Sequence, residues 1–201
     1  MAKNECKVIT GIVRFSYLNV LEPRAMEGQE PRYSVSLVIP KTDVQTVNAI
    51  NAAIQAAYAA GEQKLRTGKT VPPLDTIKTP LRDGDIERPD DDVYKNCWFI
   101  NASAPAANRA PQVVDIHGMR LTDSDTVYSG MYGRASINFY AFCKAGNKGI
   151  ACGLNNLLKT AEGERLGGAA TADEDFNVFY ESAPPAGGEF GEILSDVPAP
   201  F

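Results

Sequence analysis

Several stretches of the chain alternate apolar and polar residues with a period of two, the spacing that turns one face of a strand to a core and the other to water. The clearest is MYGRASINFYAFCK, residues 131–144. Met131, Gly133, Ala135, Ile137, Phe139, Ala141 and Cys143 fall on one side, an ordinary core stripe. Tyr132, Arg134, Ser136, Asn138, Tyr140, Phe142 and Lys144 fall on the other, three aromatic rings set among cations and small polar groups. In KVITGIVRFSYLNV (7–20), Ile9, Gly11, Val13 and Phe15 alternate with Thr10, Ile12, Arg14 and Ser16. In RYSVSLVIP (32–40), Tyr33, Val35, Leu37 and Ile39 oppose Arg32, Ser34, Ser36 and Val38. NCWFINAS (96–103) sets Trp98 and Ile100 against Cys97, Phe99 and Asn101, and QVVDIHG (112–118) and KGIACGL (148–154) supply two further short strands.

Between the stretches 32–40 and 96–103 lies a helical pattern. Thr42 or Asp43 can cap it, Val44, Val47, Ile50, Ile54 and Tyr58 keep helical spacing, and Gly61 closes it. From 62 to 92 the text turns loop-like, with Pro72, Pro73, Pro80, Pro89 and the acidic run Asp90, Asp91, Asp92. A connection of that length is expected to be a functional or mobile insertion, with short elements allowed around 76–81. The pattern as a whole predicts a mainly β fold with one long helix, best fitted by an OB-fold-like β-barrel, with a sandwich as the rival. The domain reading is a core over 1–160 carrying the insertion at about 62–92, followed by an acidic, largely flexible C-terminal tail over 161–201.

Charge sharpens that division. The net charge is −5, yet residues 1–159 carry 19 Lys and Arg against 16 Asp and Glu, a balance of +3, while residues 160–201 carry one Arg against nine acids, a balance of −8. The tail is rich in Gly, Ala, Pro and acid and offers too little apolar surface to offset its ordering entropy. FNVFY (176–180) could dock as a short strand or turn, and the segment from Asp196 ends in Phe201, an aromatic ring beside a free carboxylate that would suit a basic-rimmed pocket. No apolar run approaches the ~20 residues of a membrane span, and MAKNECKVIT lacks an apolar signal core. The expected setting is the cytoplasm, with no membrane partner. Four cysteines without a CxxC pair, and one histidine, spell out neither a zinc site nor a redox motif.

Catalytic constellations fare poorly. TGKT (67–70) resembles the end of a P-loop, but the first glycine of that motif would fall on Gln63. Asp83, Asp85, Asp90, Asp91 and Asp92 could hold Mg²⁺ for a nuclease, although an acidic loop of this kind is more simply solvated. His117 lacks a nucleophile, and Ser16, Ser34 and Ser103 lack a G-x-S-x-G context. No enzyme and no cofactor is expected. What remains is the wet face of 131–144. Rings beside cations offer platforms for bases and charge for phosphates; the same face could instead be a second buried surface or a protein interface in a non-enzymatic interaction or virion protein. Arg14, Tyr17, Arg32, Lys41, Phe99 and Arg109 repeat the residue types on other strands and loops and favour nucleic acid.

The blocks GIVRFSYLNVLEP, YSVSLVIPK, WFINASAPAANRAPQVVD, YGRASINFYAF and GIACGLNNLLKTAEGERLGG resemble those of phage-encoded single-stranded DNA-binding proteins, over residues 8–168. The resemblance implies an OB-fold core that holds single-stranded DNA in a basic, aromatic-lined groove, without catalysis, in phage DNA replication, recombination and repair. It implies further that the acidic, Phe-terminated tail competes with DNA for the groove and recruits replication or recombination proteins; a homodimer is compatible with it. The residues expected to bind DNA are Arg14, Tyr17, Arg32, Lys41, Phe99, Arg109, Tyr132, Arg134, Tyr140, Phe142 and Lys144, and the partner-binding tail residues are Asp196 and Phe201. The tail departs from the bacterial pattern, with Ala-Pro-Phe where a run of Asp would precede Pro-Phe.

Overall fold

The computed structural model of the chain describes residues 5–25, 28, 30–144 and 146–167. The expectations placed on 176–180, Asp196 and Phe201 lie outside these residues. The described strands are β1 (Lys7–Ile9), β2 (Val13–Arg24), β3 (Arg32–Pro40), β4 (Leu81–Asp83), β5 (Cys97–Pro105), β6 (Gln112–Val114), β7 (Arg120–Leu121), β8 (Tyr132–Lys144) and β9 (Asn147–Ala161). The helices are α1 (Val44–Ala60) and two of four residues each, α2 (Glu62–Leu65) and α3 (Gly84–Glu87). No helix among the described residues is long and apolar enough to cross a membrane.

Strand pairing runs in a closed circuit. β2 pairs with β3, β3 with β5 and β8 with both β9 and β2, all antiparallel, while β5 meets β9 in parallel. This mainly β arrangement is consistent with an OB-like fold. β1 adds to the outside of β8, β4 to β5, and the β6–β7 hairpin to β9. Inside sits one apolar cluster to which the core stripe of β8 contributes Ala135, Ile137, Phe139 and Ala141, all buried. Cys143, at the end of that stripe, is exposed.

Three segments depart from the simple alternation for local reasons. The first strand breaks at Gly11: Val8 and Thr10 turn inward, while Ile9 and Ile12 are 68% and 52% exposed. Thr10 is held inside by a two-way bond with β8, its N–H donating to the Ala135 carbonyl and its Oγ1 accepting from the Ala135 N–H. In β9 a register shift between the pairs Ser136↔Asn156 and Ile137↔Leu154 leaves Asn155 as an extra residue, so Leu154 and Leu157, three apart, both reach the core. The strand therefore continues to Ala161, through LNNLLKTA, which has no period of two. Residues 162–166 then bond back onto the core, Leu166 N–H donating to the Ser129 carbonyl and Arg165 to that of Asp125, past the change of composition at residue 160. In β5, Phe99 and Ile100 are both buried although they point to opposite faces, because the insertion covers the outer one.

α1 is seated by close approaches at both ends. Asp43 caps it by accepting from Thr46 N–H, and Thr46 Oγ1 accepts from Gly11 N–H at 2.7 Å, which turns Thr46 inward and leaves Val44 exposed. At the other end a Cβ on Gly61 would lie 2.1 Å from Ala141 Cβ, so only glycine allows the helix to touch β8 there. The insertion is tied down as well. Lys148 Nζ donates to the carbonyls of Leu65 and Arg66, and the buried Tyr94 donates its hydroxyl to Ser36 Oγ at 3.1 Å. Gly61→Ala is expected to cost about 1–3 kcal/mol, the usual penalty of overpacking, read as a lower urea midpoint. An unchanged midpoint would mean that α1 does not press closely on β8.

Candidate nucleic-acid interface

Directly paired residues in antiparallel strands share a face, so register alone lines up side chains across the outside of the sheet. One row runs Tyr132, Arg14, Val38, Phe99, Arg82 across β8, β2, β3, β5 and β4. The next runs Ser16, Ser36, Asn101, and the one after it Asn19, Ser34, Ser103. Arg24 and Arg32 close the series. Between the second and third rows β2 bulges: Tyr17 and Leu18 lie opposite the single residue Val35, and Tyr17 takes a φ of 47°. A positive φ is a strained state for a bulky side chain. Its effect is to raise the Tyr17 ring off the sheet, where it is 58% exposed.

The insertion places arginines over the rings of this face. The Arg82 guanidinium lies 4.4 Å from the centre of Phe99, and Arg88 lies 4.6 Å from Tyr94, 5.1 Å from Tyr17 and 5.4 Å from Phe99. Tyr94 and Phe99 themselves meet edge to face at 5.1 Å. The result is a cavity of about 480 Å³ lined by Tyr17, Arg24, Arg32, Arg88, Asn101 and Ser103, among others. Asn101 also lines a second cavity of about 550 Å³, whose walls include Lys78, Arg82 and Phe142, so the two share a wall residue.

The expected residues divide accordingly. Tyr17 and Arg32 line the first cavity, Arg32 held there by two bonds to Ser103 Oγ, and Phe142 lines the second. Arg14 and Tyr132 sit at the head of the first row but are engaged: Arg14 lies 5.6 Å over the Tyr132 ring and donates to the carbonyls of Gly130 and Glu164, the latter at 2.9 Å. Gly163 packs on the Tyr132 ring, where a Cβ would come within 2.7 Å. Arg134 is exposed and donates to the Thr10 carbonyl; Tyr140 and Lys144 are exposed toward the far end of β8, and Arg109 is exposed in the loop after β5. Phe99 is corrected. At 1% exposure, under two guanidiniums and against Tyr94, it has no free face for a base and packs with Val38 and Tyr94 in a small buried cluster.

The model of the family described as "Enterobacter phage Enc34, ssDNA-binding protein" matches residues 6–185. The chain belongs to this family. Among solved structures it is similar to a C-terminal truncation of the single-stranded DNA-binding protein from bacteriophage Enc34, with a TM-score of 0.66 and 21% identity over 80% of this chain and 88% of that one. The same bacteriophage Enc34 protein in complex with ssDNA matches with a TM-score of 0.65 and 24% identity, over 81% and 90%. The gp2.5 single-stranded DNA-binding protein encoded by bacteriophage T7 matches with a TM-score of 0.57 and 15% identity, over 91% and 97%. A sequence comparison with curated proteins gives no match.

Within this family member, Arg82, Arg88, Arg24 and Asn101 reach the face although nothing in the sequence pattern singles them out. The first two sit in the insertion, and their place depends on β4 pairing with β5 over three residues, with no periodic signal. Lys41 is near them but committed: its Nζ bonds both carboxylate oxygens of Asp83 and one of Asp85, at 2.7–2.8 Å, and lies 5.2 Å from the Trp98 ring. Hydrogen bonds to Asp83 and Asp85 hold the Lys41 pKa above its ordinary 10.5, and hydrogen bonds from Lys41 and then Asn96 N–H hold Asp85 below 3.8. The contribution of Asp85 to stability is thus present above pH 3.8 and lost as pH falls through the lowered value; that of Lys41 is present below pH 10.5 and lost as pH rises through the raised one. Lys41→Met should bring the Asp85 carboxyl back up toward 3.8 in an NMR titration. No change would assign the whole shift to Asn96.

Proposed function

We propose that the protein binds single-stranded DNA across the outer face of β2, β3, β5 and β4, largely without regard to sequence. The observation that carries this reading is the cross-strand row Tyr132, Arg14, Val38, Phe99, Arg82, which sets arginines beside aromatic rings next to the exposed Tyr17 and two cavities that share Asn101. Bases stack on rings at about 1–3 kcal/mol each whatever their identity, and cations follow the backbone. The pairing circuit is read as an OB barrel, whose strand face is a recurrent site for oligonucleotides. Tyr17, Tyr132 and Phe142 are the stacking platforms; Arg14, Arg24 and Arg32 meet phosphates. Tyr140, Arg134 and Lys144 extend the path along β8. Family membership supports the reading, since the relatives carry single-stranded DNA-binding in their names.

Coating and protecting single strands during phage replication, recombination and repair is the role that follows from such binding. The acidic tail acts in it as a tethered competitor and as a recruiter of replication partners. Residues 162–166 support the competitor role, because their backbone already occupies Arg14 and packs on Tyr132. Anchored there, the nine acids after residue 160 would be held at high effective concentration near the cations.

Fluorescence anisotropy with a labelled oligo-dT and its duplex tests the reading. Tighter binding of the single strand, weakening steeply with salt, is expected, and Arg14→Ala with Arg32→Ala should flatten the salt slope by roughly 0.7 for each phosphate no longer neutralised. Absence of oligo-dT binding would leave the face as a protein interface. A chain ending at Gly168 should bind more tightly than the full chain; weaker binding would make the tail part of the site instead of its competitor.

A further inference from the structure

Arg88 is the point at which the insertion grips the exposed face. Two of the three rings around its guanidinium, Tyr94 and Phe99, are fully buried and fixed by the core, while the third, Tyr17, is exposed. Arg88 Nη1 also donates to Tyr17 Oη at 3.2 Å, so the guanidinium joins an anchored aromatic pair to a ring that stands on a bulge with a positive φ. The segment bearing Arg88 is itself secured: its N–H donates to the Gly84 carbonyl, Asp91 N–H donates to the Arg88 carbonyl, and the Asp91 carboxylate lies 3.9 Å from Nη1.

From this we infer that Arg88 is a positioning residue that holds the Tyr17 ring as a base-stacking platform, so that residues 81–94 are a working arm of the DNA site and not a cover for the end of the sheet. The inference rests on the single-stranded DNA reading above and deepens it. A guanidinium spreads its charge and five N–H donors over a plane, so it can contact Tyr94 and Phe99 while donating to the Tyr17 hydroxyl beside that ring, an arrangement a compact ammonium cannot reproduce. Its charge already has a carboxylate at hand in Asp91, which suits orienting a ring better than binding a phosphate. Arg32, held in the same cavity by the neutral hydroxyl of Ser103, is the better phosphate ligand.

The test is oligo-dT binding by the full-length chain over a salt series, with thermal midpoints measured on each variant. Tyr17→Ala should weaken binding about tenfold, the loss of one stacked base, and Arg88→Ala should do the same without changing the salt slope. The double variant should bind no more weakly than Tyr17→Ala alone. Arg88→Lys, which keeps the charge and the fold, should still lose about tenfold, while Tyr17→Phe should keep most of the affinity because the guanidinium still lies over its ring. Three results would overturn the inference: wild-type affinity in Arg88→Lys, a salt slope reduced by roughly 0.7 in Arg88→Ala, the mark of a residue that itself neutralises a phosphate, or fully additive losses in the double variant. If the wild-type chain does not bind oligo-dT, the DNA reading falls and takes the inference with it; wild-type binding with unaffected Arg88 variants overturns the inference alone.

Discussion

The antiparallel pairing of Tyr132–Lys144 with Asn147–Ala161 is the constraint from which the rest of the architecture follows. β8 is the strand that touches β1, β2 and β9 at once, and α1 lies against it through Gly61 and Ala141. Its inner residues fill the core that every other strand faces. Its first residue, Tyr132, pairs with Arg14 and so begins the row that ends on the insertion. A shift of one residue in this hairpin would exchange the faces of β8, putting Arg134 where Ala135 now packs, which is why the register is strongly specified.

That same strand is the most legible part of the sequence. Period two over thirteen residues needs no tertiary information, and the faces read from it agree with burial from Met131 to Ala141. Legibility fails where backbone geometry, not composition, decides which way a residue points. Asn155 at the bulge of β9 hides a fifteen-residue strand behind a broken alternation, and Gly11 resets the phase of the first strand so that Thr10 is buried and Ile9 is not. The site divides along the same line. Tyr17, Arg32 and Phe142 are readable as exposed chemistry on strands, whereas Arg82 and Arg88 come from a segment rich in proline and acid that reads as solvated loop. Phe99 reads as a groove residue only because Tyr94, which covers it, lies in that segment.

The arginines of the face are held before any ligand arrives. Arg82 bonds Glu87 at 2.9 Å, Arg88 is fixed by three rings, and Arg32 by Ser103. Such pre-organisation lowers the side-chain entropy that binding must overcome. Of the 25 acids behind the net charge of −5, nine lie beyond residue 160, which leaves the chain before that point slightly cationic.

The central claim, that one outer face spanning β2, β3, β5 and the insertion is the DNA path, is tested most directly by amide chemical-shift changes on titrating the labelled chain with unlabelled oligo-dT. The account predicts that the largest changes fall on Tyr17, Ser34, Arg88, Asn101 and Ser103, with the β6–β7 hairpin around His117 silent. Changes concentrated on that hairpin or along the exposed side of α1, with the Tyr17 cavity unaffected, would contradict it.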